Sequence, residues 1–99
     1  MVDLAGLPAA ERIERGLSEL AAGVESVDSL LVAIAAPRLA RAGVQVPARA
    51  EDFPEAELRL YALLGQQQSR DAYSEYNALL RELVSFERAL EHRTRAAKR

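Results

Sequence analysis

The chain has 99 residues, 49% hydrophobic and 28% charged, with a formal net charge of −2. That length supports one domain over residues 1–99 with one modest core, and no apolar run approaches the ~18 residues of a membrane span. Cysteine is absent, which excludes disulfides, thiolate-held metal centres and thiol nucleophiles.

Residues 1–10 carry Asp3 and lack a basic stretch, so they do not read as a secretory signal, and a cytoplasmic protein is expected. Alanine and leucine dominate the hydrophobic share, while Val and Ile are few and do not alternate with polar residues. Strands favour β-branched and aromatic residues at period two, whereas Ala, Leu, Glu and Arg favour helix. The expected fold is all-α, a small bundle of about four helices with a long C-terminal amphipathic helix. Twelve Arg against the single Lys98 read as bacterial-like genomic base composition. Residues 1–57 hold ten acids and five bases, residues 58–99 five acids and eight bases. An acidic front and a basic rear attract within one molecule or between two.

The first helix is predicted to start near Pro8, whose missing N–H suits a first turn. Ile13, Leu17, Leu20 and Val24 form its stripe at steps of four, three and four. Gly16 weakens it slightly, and Gly23 ends it. Asp28 is the expected cap of a second helix, with Val27 packing on Val32 as a staple. That helix runs through Leu30, Leu31 and Ile34, is kinked or restarted by Pro37, and ends at Gly43. The same steps also fit one helix over 8–36, but Gly23, Ser26 and Asp28 are poor interior residues and favour a break.

Residues 43–53 read as a loop, extended before Pro47. Asp52 and Glu55 form a capping-box pattern with Pro54 in the first turn of a third helix. This helix passes through Leu58, Tyr61 and Leu64 and is broken by Gly65-Gln66-Gln67-Gln68-Ser69. The last helix, over 69–97, carries Ala72, Tyr76, Leu79, Leu83, Phe86 and Leu90 on one stripe, widened by Tyr73, Leu80 and Val84. At ~1.5 Å per residue it would be about 40 Å long. Leu79, Leu83 and Phe86 should be buried, and Arg81, Glu82 and Arg88 exposed.

No constellation here carries catalysis, and the expectation is a protein that is not an enzyme and has no cofactor. His92, the single histidine, has Arg88 and Arg95 as its helical neighbours and no further ligand at metal-site spacing, so no metal is expected. Asp71, Glu75, Glu82, Glu87 and Glu91 fall off the apolar stripe and read as a solvated face, without the Glu-x-x-His of a di-metal bundle. There is no nucleophile elbow, phosphate-binding loop or dinucleotide fingerprint. The basic tail, Arg93, Arg95, Lys98 and Arg99, suits a helix C-terminus. As a weak binder of nucleic acid or an anionic surface it has few charges and no interleaved aromatic.

Val27-Asp28-Ser29-Leu30-Leu31, followed by Arg38-Leu39-Ala40-Arg41-Ala42-Gly43-Val44-Gln45-Val46-Pro47, resembles the acyl and peptidyl carrier proteins over residues 27–47. In that family an Asp-Ser-Leu opens the second helix of a four-helix bundle. The resemblance implies phosphopantetheine attachment at Ser29 with Asp28 as its acidic neighbour, at a helix N-terminus that favours phosphate.

The leading expectation is a non-enzymatic module working by protein–protein contact, as a homodimer or with another helical protein, because only short helices are available to cover the long last one. Tyr73, Tyr76, Asn77, Leu80 and Val84 are the expected interface residues, with the tyrosines at the seam between the last helix and either the third helix or a second chain. Asn77, at the flank of the stripe, reads first as an amide bonded to neighbouring backbone or water, and second as a residue that fixes helix register or a dimer's alignment. Nucleic acid and membrane are not the expected partners.

Overall fold

The computed structural model describes residues 4–47, 53–67 and 71–97. Among them are four helices and no strand: α1 (Ala10–Ala21), α2 (Val27–Arg41), α3 (Ala56–Gln67) and α4 (Ala72–Ala97). The fold is the all-α small bundle expected from composition.

The central element is α2, which touches all three other helices. Its sequence is apolar nearly all round, as a helix covered on several sides must be: Leu30, Leu31, Val32, Ala35 and Leu39 are buried. Ile13 and Leu20 of α1, Leu60 and Leu64 of α3, and Leu79, Leu83, Phe86 and Leu90 of α4 close the same core. Arg81, Glu82 and Arg88 are exposed. The stripe of α4 was therefore placed correctly by periodicity, but it is covered from within the chain.

The break between α1 and α2 is real. Gly23 and Gly43, with φ of 77° and 96°, follow α1 and α2 in the left-handed conformation that glycine adopts without strain. Val24 lies beyond α1 and is exposed rather than part of its stripe. The cap of α2 is Ser26, not Asp28. Ser26 Oγ accepts from the Ser29 N–H at 3.1 Å, and Ser29 Oγ accepts from the Ser26 N–H at 2.7 Å. Two orphan donors are thus satisfied reciprocally. Glu19 holds the Ser26 hydroxyl at 2.7 Å.

Other expectations give way to tertiary packing. Pro37 does not interrupt α2, which continues to Arg41; the ring lies on the exposed side. Gly65 and Gln66 do not break α3, which runs to Gln67. Leu58 and Tyr61 are exposed, and the buried face of α3 is Ala56, Leu60 and Leu64. Asp52 lies outside the described residues, and Glu55 stands before α3 with a left-handed backbone, φ 57°, instead of inside its first turn. At the head of α4, Asp71 Oδ1 accepts from the N–H groups of Tyr73 and Ser74 at 3.1 and 3.3 Å. These bonds and the Ser74 hydroxyl, which contributes most, pull the Asp71 carboxyl below its ordinary pKa.

Gly16 does more than weaken a helix. It is buried where α1 crosses α2, and a Cβ there would collide with the Asp28 carbonyl oxygen and stand 2.6 Å from Val32 Cγ2. The two backbones approach this closely because the side chain is missing. Beside the crossing, the buried Asp28 carboxylate accepts from Arg12 at 2.7 Å and Arg15 at 3.2 Å.

Candidate functional site

One open surface of the bundle lies along α4, beside α2. Asn77, Leu80, Arg81, Val84, Ser85 and Arg88 recur every three or four residues, so they share one helical face and line one open hollow. Leu80 and Val84 also line the adjoining hollow, whose opposite wall is Ile34, Pro37, Arg38 and Arg41 of α2. Those four residues likewise share a helical face. Arg38 and Arg41 continue into a third hollow, completed by Glu91, Thr94 and Arg95 near the end of α4. The result is a groove between α2 and α4 with an apolar floor at one end and arginines along its margins.

The interface residues expected from sequence separate in space. Leu80 and Asn77 are half-buried and Val84 is 39% exposed, and these three line the groove. Tyr76 belongs to a different contact. Its ring meets Tyr61 of α3 edge-on, with centroids 5.7 Å apart and planes at 75°. Burial, followed by the nearby Glu57 charge, raises its phenol pKa. Tyr76 thus sits at the α3–α4 seam. Tyr73, 63% exposed, lines neither contact.

Glu87 departs most from expectation. It is buried at the edge of the groove floor, not solvated, and its carboxylate meets Arg38 at 3.3 Å. Burial raises its pKa, Arg38 opposes the rise, and Glu91 adds to it. Among the described residues the charges of front and rear pair in both senses. Arg59 of the rear meets Glu25 of the front at 3.3 Å, but Arg38 and Arg12 of the front meet Glu87 and Glu82 of the rear, at 3.3 and 4.0 Å.

The basic tail is likewise divided. Arg93 donates to the Ala5 carbonyl at 2.9 Å and so ties the segment before α1 to α4. Arg95 lines the groove; Lys98 and Arg99 lie outside the described residues. Ser29 is fully buried, with its hydroxyl engaged by Ser26. Where a carrier protein needs an accessible serine, this chain has an interior capping residue. His92 is exposed, and no three His, Asp or Glu side chains converge as a metal site among the described residues. No described helix is long and apolar enough to cross a membrane.

Sequence reasoning missed the α2 wall of the groove. Ile34, Pro37, Arg38 and Arg41 have the three-four spacing of one face, but Pro37 is a helix breaker by local chemistry, which hides that face. Comparison with known protein families, curated proteins and solved structures finds no match.

Proposed function

We propose that the protein is a non-enzymatic helical module that acts in the cytoplasm by docking another protein in the α2–α4 groove. The observation that carries this reading is the apolar floor formed by Leu80 and Val84 of α4 with Ile34 and Pro37 of α2, which no element of the chain covers among the described residues. Grooves between two helices of a bundle are a recurring seat for a partner helix. The groups with shifted pKa values, Asp71, Tyr76 and Glu87, serve a cap, a helix seam and an ion pair; they do not converge on one cavity as acid–base machinery does.

A second copy of the chain is one of the two occupants that the sequence suggests, alongside another helical protein, on the ground that only short helices are available to cover α4. With the α4 stripe buried internally, the case for a homodimer rests on the Leu80–Val84 edge alone. A photo-reactive phenylalanine placed at Val84, with a control at the exposed Ser18 of α1, tests the reading in cells. A discrete covalent adduct from position 84 and none from position 18 is expected. Its mass separates a second copy from a different protein. Absence of an adduct at 84, or the same adducts from both positions, overturns the reading.

A further inference from the structure

We propose that the occupant of the α2–α4 groove is an acidic amphipathic helix belonging to a different protein. The proposal rests on the docking reading above and specifies its partner. Its ground is charge complementarity. Arg38, Arg41 and Arg95 line the groove, and Arg81 and Arg88 stand on the exposed α4 face that shares Leu80 and Val84 with it, on a chain whose net charge is −2. The opposing acids are Glu87, buried against Arg38, and Glu91. Neither Arg41 nor Arg95 has a carboxylate partner among the described residues. A helix that lays Leu or Ile on Leu80 and Val84 therefore brings its flanks beside arginines of which Arg41 and Arg95 form no ion pair among the described residues, and Glu or Asp on those flanks supplies one.

Length fits as well. From Asn77 to Arg95 the groove follows α4 for roughly 27 Å, the span of about 18 helical residues. A second copy fits poorly. A two-fold pairing of this face brings arginine margins together, and like charges in apposition are unfavourable. α1, which bears Glu11, Glu14 and Glu19, already has Ile13 and Leu20 buried within the bundle. A lipid surface also attracts arginines, but it takes a protruding apolar face, and here the apolar residues form the floor between two helices.

Three synthetic peptides of about 18 residues test the proposal by fluorescence anisotropy with the full chain. One carries an i, i+3, i+7 leucine stripe flanked by Glu, the second the same stripe flanked by Lys, and the third is a scramble of the first. The Glu-flanked peptide is expected to bind and the other two not to bind. Its affinity should fall several-fold as salt rises from about 0.05 to 0.5 M, through screening. Arg81→Glu with Arg88→Glu should weaken it by about tenfold or more, and Val84→Asp should abolish it. Circular dichroism checks that these variants, all at exposed positions, keep their helix.

Equal binding of the Glu and Lys peptides, no binding of the Glu peptide up to about 1 mM, a measurable but very weak affinity, or indifference to the arginine reversals overturns the proposal. So does binding of the chain to phosphatidylserine vesicles that the same reversals abolish, which assigns the face to lipid. So does a dimer in sedimentation that Val84→Asp dissociates, which assigns it to a second copy. The two readings fail separately. A cross-link at position 84 without peptide discrimination removes only the acidic helix, whereas no cross-link at 84 removes the docking groove itself.

Discussion

Glu87 is a carboxylate buried by the fold and held by a single arginine. Arg38 is largely exposed, so its attraction is screened and does not repay the desolvation of the acid. The folded chain therefore binds the Glu87 proton more tightly than the unfolded chain, since the pKa is raised. By linkage, this stabilising contribution is present below the ordinary glutamate pKa and is lost as pH rises through the folded value. Glu87→Gln removes the titration. Its melting temperature should gain on that of the wild-type chain between about pH 4 and 7, the window above the unfolded glutamate value. A difference independent of pH would mean that Glu87 is solvated after all. Sequence alone could not reveal this residue. Its neighbours at three and four steps, Leu83 and Leu90, already define the stripe, and its cation stands 49 positions earlier. Asp28 was hidden in the same way. Its type suits a cap, but Arg12 and Arg15 draw it inward and leave the cap to Ser26.

Between elements, the crossing of α1 and α2 depends on an absent side chain. Gly16→Ala raises intrinsic helix propensity, yet its Cβ would strike the Asp28 backbone and the Val32 side chain. Overpacking of a tight contact typically costs about 1–3 kcal/mol, so the variant should lose stability in urea unfolding despite its better helix former. Gly65 in α3 is the control, because a Cβ there meets nothing within 4 Å. Gly65→Ala should gain roughly 0.4–1 kcal/mol. Equal effects at the two positions would show that propensity, not packing, governs both. The helices themselves were legible, because apolar steps of three and four locate α1, α2 and α4 without reference to partners. Two boundaries were not. Pro37 and Gly65 are breakers by local chemistry, but both stand on exposed helix faces whose opposite sides are anchored in the core.

For the molecule as a whole, periodicity settled which residues of α4 turn inward but not what covers them. The apolar floor of the groove was half visible. Leu80 and Val84 widened the α4 stripe in the sequence, whereas Ile34 and Pro37 became its neighbours only once α2 was packed. The order of assembly follows from how far apart in the chain the partners lie. α1 and α2 are joined by residues 22–26 and form the most extensive helix pairing. α4 meets α3 locally through Tyr61–Tyr76, but its anchors to the front of the chain, Arg38–Glu87 and Ala5–Arg93, close loops of 49 and 88 residues. Short loops close with less entropy loss, so local pairs form early in folding. The extent of the α1–α2 pairing leads us to expect the folding nucleus there, with α4 docking after the barrier. Leu20→Ala in α1 should chiefly slow refolding. Leu83→Ala in α4, at a cost of about 2–5 kcal/mol, should chiefly speed unfolding. Stopped-flow chevrons in urea read both limbs, and the reverse partition would place the nucleus in α4. On that expectation the groove between α2 and α4 has one wall on each side of the barrier, so it comes into being only when folding is complete.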